Sequence, residues 1–330
     1  MTRTRRHLDP YLNDPQHWGV SMAQMAELML PCLEAVGARS VVEIGAFAGD
    51  LTRVLVDWAA GSGARVSAID PEPQPALVAL ERDHPELELI RDASLAALPR
   101  IPPADAVIVD GDHNYHTVAA ELRLIAEQAA GADLPLLLFH DVAWPHGRRD
   151  DYYAPEQIPA DARHPLVGPD EGIVPGEPGA RRGGLPYARS AAREGGPRNG
   201  VLTAVEDFVA DREGIRLVVV PVFFGFGVAW HAASPGADEL ARILEPWDRN
   251  PLLERLEENR LHHLATGYAR TVEGWDRDRR DARREAVLRR LLESSAFAIA
   301  ERLSRLRGRA GIAPGSAVVS KDEIRAALDD

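Results

Sequence analysis

Two apolar runs in this chain end in groups that can do chemistry. Ala106-Val107-Ile108-Val109 leads into Asp110-Gly111-Asp112-His113, and Leu134-Pro135-Leu136-Leu137-Leu138-Phe139 leads into His140-Asp141. If the runs are neighbouring strands, they bring the carboxylates of Asp110 and Asp141 to one place, with the His140 imidazole beside the second. Converging carboxylates without a lysine between them repel each other. They suit a hard divalent cation such as Mg2+, which lowers the pKa of a hydroxyl bound to it. His140 adds a nitrogen ligand that shifts preference toward Mn2+, Fe2+ or Zn2+, or it is itself a general base. Asp112 and His113 are the further candidates for that base. A purely structural reading stands beside these: Asp110 and His140 hydrogen-bond across strand ends, and His113 and His116 are solvated loop residues.

A second constellation lies upstream. Val41-Val42-Glu43-Ile44 runs into Gly45-Ala46-Phe47-Ala48-Gly49, and Val66-Ser67-Ala68-Ile69 ends in Asp70. A strand, a turn nearly free of side chains and an acid closing the next strand form a cradle for an adenosine cofactor, the acid accepting hydrogen bonds from ribose hydroxyls. A dinucleotide site wants G-x-G-x-x-G so that backbone can approach a pyrophosphate. Only Gly45 and Gly49 are present here, with Glu43 ahead of them, so nicotinamide redox chemistry is disfavoured.

The elements that position these groups alternate. Apolar strand runs near 40–45, 65–70, 87–91, 105–110 and 134–140 are separated by helical patterns, as in a doubly wound, mainly parallel α/β sheet. In such sheets ligands sit beyond the carboxyl ends of the strands, where both constellations fall. Leu51, Val54, Leu55 and Trp58 open an amphipathic helix after the glycine turn, and Asn114 is an N-cap for a helix presenting Val118, Leu122, Ile125 and Ala129. Residues 1–38 read as an entry segment, with Tyr11 and Trp18 as packing residues and a helix from Ser21 that Pro31 should kink or split. Between Asp141 and Asn199 the chain is rich in Pro, Gly and Arg. Residues 143–198 are expected as a lid or substrate-binding insertion, or else as a disordered surface loop. In the first case Arg148, Arg149, Arg181 and Arg182 would contact an anionic acceptor, in the second they are solvated. Leu217–Pro221 and Phe223–Trp230 read as a closing strand pair, one of them antiparallel, completing a domain over 39–233. From 234 to 330 an Arg/Glu/Leu-rich helical extension follows. Leu252, Leu256, Leu261, Leu264, Val287, Leu288, Leu291 and Leu292 could line a helical hairpin or a homo-oligomer seam, and Ser320 to Glu323 form a capping box.

Composition bounds the rest. At 330 residues with net charge -13, the chain lacks the basic face that nonspecific nucleic-acid binding requires. Cys32 is the only cysteine, which excludes an internal disulfide and a multi-Cys zinc site and makes it a small core residue. Lys321 is the only lysine, so acid and base work falls to Asp, Glu, His or Tyr. Neither a signal peptide nor a membrane span is evident, and a cytoplasmic protein is the default.

The pattern Glu43-x-Gly45-x-x-x-Gly49 resembles motif I of class I S-adenosylmethionine (SAM) dependent methyltransferases. With Asp110-Gly111-Asp112-His113-Asn114-Tyr115 and Phe139-His140-Asp141-Val142, residues 38 to 230 are similar to methyltransferase family 24 and to metal-dependent sugar O-methyltransferases. The resemblance implies a seven-stranded Rossmann-like sheet and SAM held by Glu43, Gly45, Ala46, Gly49, Asp70, Asp92, Ser94 and Asp110. Asp92 and Ser94 would lie on the adenine side. It further implies Mg2+ or Mn2+ on Asp110, His140 and Asp141, and a base matching Asp112. His140 departs from that pattern, which has an acid in its place. The implied activity is methyl transfer to a hydroxyl of a sugar, glycan or glycosylated natural product. An N-methyltransferase, a metal-free O-methyltransferase with a His base, and a catalytically silent SAM-binding partner in glycan assembly remain as alternatives.

Overall fold

The computed structural model describes residues 21–129, 134–310 and Ile324. Tyr11, Trp18 and the Ser320 to Glu323 box lie outside those residues. The chain divides into two compact units, Met1–Thr266 and Gly267–Asp330.

The first unit is a seven-stranded sheet. In chain order it is built from α1 (Ala26–Ala35), β1 (Ser40–Ile44), α2 (Asp50–Ser62), β2 (Arg65–Ile69), α3 (Pro75–Asp83), β3 (Leu87–Ile90), α4 (Ser94–Ala97), β4 (Ala106–Val109), α5 (Tyr115–Gln128) and β5 (Leu136–His140). A small hairpin of β6 (Glu171–Ile173) and β7 (Ala180–Arg182) follows, then α6 (Val201–Ala210), β8 (Ile215–Val220), β9 (Phe226–His231) and α7 (Ala237–Leu244). The strand order is β3-β2-β1-β4-β5-β9-β8. β9 runs antiparallel to both β5 and β8, and the other pairings are parallel. The order reverses between β1 and β4, so the ends of those strands open the crevice in which ligands of such sheets bind.

Successive side chains on a strand face opposite sides of a sheet. Here Val41, Ile108, Leu136 and Leu138 pack on one face with Leu55, Met29 and Leu240. Val42, Val107, Val109, Leu137 and Phe139 pack on the other with Val118, Leu122 and Val205. Both faces are covered, which is why the central strands read as continuous apolar runs rather than alternating ones.

The first helix divides elsewhere than at Pro31. Met22–Met25 is a 3-10 turn capped by Ser21, whose Oγ accepts from the Ala23 N–H, and α1 runs on through Pro31. Burial of Met29, Cys32 and Leu33 on one face holds the helix across the single N–H that proline lacks. Cys32 is fully buried and its thiol donates to the Leu28 carbonyl.

The compact division comes later than the composition change at 234. α7 buries Leu240 and Leu244 in the sheet's own core, and α8 (Pro251–Glu293) contributes Glu257, whose carboxylate accepts from the Phe224 N–H at 3.0 Å. From Leu252 to Leu292 the expected seam residues lie on this one helix rather than on a hairpin; Leu261 is buried, whereas Leu252, Leu256, Val287 and Leu291 are exposed. α9 (Ser295–Arg309) follows in the second unit.

Residues 143–198 form a packed insertion. Asp150 is fully buried; its Oδ1 accepts from the N–H groups of Tyr115 (2.8 Å) and Gly200 (2.6 Å), and its Oδ2 from the Tyr152 hydroxyl (2.9 Å). One carboxylate thus satisfies open N–H groups at the starts of α5 and α6. Arg149 is neither an acceptor contact nor a solvated charge: it is fully buried, donating to the carbonyls of Ala191 (2.6 Å) and Pro178 (3.1 Å) with Glu194 at 3.6 Å. Arg148 pairs with Glu206, and Arg181 with Glu177.

Candidate active site

The glycine turn after β1 is forced to be glycine. Gly45 has φ +89, and a Cβ there would lie 2.0 Å from the Asp110 carbonyl oxygen; Gly49 has φ +84 and starts α2. The turn therefore sits directly on the end of β4. Asp70 is buried, and its two carboxylate oxygens accept from the N–H groups of Phe47 (2.7 Å) and Glu72 (2.8 Å). That ties the glycine turn to the end of β2 and fixes the carboxylate. Glu43 is buried beneath the turn and accepts from the Thr52 hydroxyl at 2.7 Å. Burial, reinforced by the charges of Asp110 and Asp70 against that one hydrogen bond, pushes its carboxyl up to about 8.

On the adenine side expected from sequence, Asp92 is ion-paired with Arg100, and Ser94 donates its hydroxyl to Glu121 at 2.5 Å. Glu121 went unnoticed in the sequence because it sits mid-helix among ordinary polar residues. It is fully buried, its Oε2 has no hydrogen-bond partner, and burial pushes it up to about 8. Across the same edge the Tyr153 hydroxyl donates to Glu72 at 2.8 Å, so the insertion reaches over to the end of β2.

Asp110, His140 and Asp141 do converge. His140 is buried; its Nδ1 is 3.0 Å from Asp110 Oδ1 and 3.2 Å from Asp141 Oδ2, and its Nε2 is 2.9 Å from the Phe223 carbonyl oxygen. A carbonyl only accepts, so Nε2 carries a proton. Nδ1 then either carries a second proton between two carboxylates or offers its lone pair, with them, to a cation. Burial alone would depress the His140 pKa, but Asp110 and Asp141 outweigh it and raise it well above the usual imidazole value. For Asp141, burial is overcome by His140 and His113, and its carboxyl is held below the ordinary range. Asp141, Phe223 and Phe224 have φ of +56, +51 and +68. Backbone strain of this kind persists only where the surroundings over-determine it. Here they do: the Ala143 N–H donates to the Phe224 carbonyl at 2.7 Å, and Phe224 is held by Glu257.

Asp112 and His113, the further sequence candidates for the base, have different surroundings. Asp112 is a scaffold group: its Oδ1 accepts from the Tyr153 N–H (3.0 Å), and its Oδ2 from the Thr117 hydroxyl (2.8 Å) and the Asn114 side chain (2.5 Å). Those three bonds tie it to the insertion and to the start of α5. His113 is no solvated loop residue: its Nε2 is 3.1 Å from Asp141 Oδ2 and 3.9 Å from Asp110 Oδ1, with its side chain 30% exposed. Burial is again outweighed by Asp141 and Asp110, and its pKa rises to about 9. The Phe223 carbonyl had no signal in the sequence, because any residue type supplies one.

The glycine turn, the reversal of strand order and the acid closing β2 lie together at one edge of the sheet, the arrangement of a nucleoside-cofactor site. Residues 42–142 match the family 24 model, described as a methyltransferase domain. No curated protein matches the chain. Among solved structures it is similar to the S-adenosylhomocysteine (SAH) bound methyltransferase PaMTH1 of Podospora anserina, at 17% identity over 70% of this chain and 88% of that one, with TM-score 0.42. It is also similar to a putative caffeoyl-CoA O-methyltransferase of Staphylococcus aureus (10% identity, 70% and 93% coverage, TM-score 0.42). A Bacillus cereus O-methyltransferase in complex with SAH gives 17% identity, 69% and 90% coverage and TM-score 0.38.

Proposed function

We propose that the protein methylates a hydroxyl of a sugar, glycan or glycosylated natural product, using SAM and a divalent cation. The observation that carries this reading is the environment of His140: one nitrogen fixed on a carbonyl, the other facing two carboxylates. That donor set, two acidic oxygens and an imidazole nitrogen, fits Mg2+ or, better, Mn2+. A bound cation would supply a Lewis acid that lowers the pKa of the acceptor hydroxyl. Asp110, His140 and Asp141 would hold it. SAM would lie in the crevice between the Gly45–Gly49 turn, which includes Ala46, and Asp70, with Glu43 beneath the turn and Asp92 and Ser94 toward the adenine. The turn brings the ends of β1 and β4 together, and Asp70, bonded to the Phe47 N–H, holds the end of β2 beside it, which leaves a crevice at the switch point for such a ligand.

The residues divide the remaining work. His140 orients, since neither of its ring nitrogens is free to take a substrate proton, which weakens the metal-free reading with His140 as base. Asp112 anchors the start of α5. His113, partly exposed, has its Nε2 3.1 Å from Asp141 Oδ2 and is held protonated by Asp141 and Asp110, so it steadies the Asp141 carboxylate rather than receiving the acceptor's proton. The test is transfer of labelled methyl from SAM to a panel of hydroxylated glycosides, with EDTA and then with Mg2+ or Mn2+. Transfer that EDTA abolishes and Mn2+ restores supports the reading. SAM binding without transfer to any acceptor would favour the silent-partner reading.

A further inference from the structure

A second group of ligating side chains adjoins this site and is used by none of the roles above except that of His113. His113, His146 and Asp151 each offer one ligand atom, and those atoms lie within 4.8 Å of one another. His146 is buried, and its Nδ1 has no hydrogen-bond partner. A buried orphan of that kind costs free energy unless a group outside the protein, such as an ion, satisfies it. The His113 and His146 rings stack with centroids 4.9 Å apart and planes at 18°, and Tyr187 packs edge-on against His146 at 5.5 Å. The Asp151 N–H donates to the His113 carbonyl at 2.9 Å, and the Ser190 hydroxyl donates to Asp151 Oδ1 at 2.6 Å. The carboxylate is thereby oriented by a hydrogen bond, as ligating carboxylates are.

We propose that His113, His146 and Asp151 bind a second divalent transition ion of the Zn2+ class, distinct from the ion on Asp110, His140 and Asp141. Two imidazoles and one carboxylate suit Zn2+ better than Mg2+ and leave a coordination position open. His113 comes from the end of β4, and His146 and Asp151 come from the insertion. The ion therefore pins the insertion to the sheet edge, a consequence readable without any turnover. The inference rests on the methyltransferase reading only for its neighbour and stands or falls separately.

The experiment uses the full chain stripped with EDTA and titrated with Zn2+, read by calorimetry and by elemental analysis after desalting. Wild type should bind two ions, and His146→Gln and Asp151→Asn one each. Ser190→Ala should keep both but weaken one by roughly 10–100-fold, the range for losing an outer hydrogen bond to a ligand. Zn2+ should slow proteolysis within 143–198 in wild type and fail to do so in His146→Gln. Asp110→Asn should lose the neighbouring ion and keep this one. If Asp110→Asn binds no ion, or if His146→Gln and Asp151→Asn, each folded by circular dichroism, bind as many ions as wild type, the second site does not exist. A wild type that binds one ion, lost in His146→Gln and kept in Asp110→Asn, would support the second site and refute the first.

Discussion

Glu43→Gln offers a sharp test of the electrostatics under the glycine turn. Glu43 is 1% exposed, and its carboxyl is pushed from 4.5 to about 8 chiefly by burial. With the folded pKa raised, the unfolded chain gives up this proton first, so folding takes up a proton between pH 4.5 and 8 and stability falls as pH rises through that window. At pH 7 the gap from the unfolded value is about 2.5 units, which at 1.36 kcal/mol per unit makes Glu43 cost about 3 kcal/mol. Below pH 4.5 the cost vanishes. Gln keeps an acceptor for the Thr52 hydroxyl and has no proton to lose. Urea unfolding of wild type and variant at half-unit steps from pH 5 to 8 should show the variant gaining on wild type steadily, reaching about 3 kcal/mol near pH 7. A stability difference that stays flat across that range would refute the reasoning, since burial would then not be holding the proton on Glu43.

Further outcomes follow from the same geometry. Asp70→Ala should weaken SAM binding by about 1.5–3 kcal/mol, the range for hydrogen bonds to a charged group, measured by calorimetry on the folded variant; unchanged affinity would remove Asp70 from the site. Gly45→Ala should destabilise the fold by roughly 2–5 kcal/mol, because positive φ and a collision with the Asp110 carbonyl act together; a near-wild-type denaturation midpoint would contradict the close approach. Asp150→Ala leaves the Tyr115 and Gly200 N–H groups buried without their acceptor and should cost about 2–5 kcal/mol, with faster proteolysis of the insertion as its second readout. Cation binding at Asp110, His140 and Asp141 should weaken as pH falls, because His140 is held protonated by its two carboxylates and must release a proton to ligate; affinity independent of pH from 6 to 8 would show that His140 is not a ligand.

The sheet was legible because its strands are buried on both faces. Runs such as Val107-Ile108-Val109 and Leu136-Leu137-Leu138 can hardly be anything else once helical patterns alternate with them. The ends of those strands were legible for a related reason: polar groups that terminate an apolar strand must face the edge. Side-chain assignments within the edge were harder. Asp110 and Asp112 are the same residue type with only Gly111 between them, yet Asp112 is absorbed by Tyr153, Thr117 and Asn114 while Asp110 faces His140. Asn114 and Thr117 are close in sequence, but the third donor, Tyr153, arrives from the insertion and leaves no local signal. The internal packing of the insertion had no sequence signal, since it is held by the buried polar groups of Asp150 and Arg149 rather than by apolar periodicity. His146 and Asp151 were invisible for the same reason, their neighbours being set by the insertion's path and not by spacing.

Methyl transfer from labelled SAM to a hydroxylated acceptor, measured with and without EDTA alongside calorimetric SAM binding, tests the central claim most directly. EDTA and Asp141→Ala should each abolish transfer while SAM affinity stays within about twofold, and Mn2+ should restore the EDTA-treated wild type but not the variant. Transfer that continues undiminished in EDTA and in Asp141→Ala would contradict the metal-assisted account.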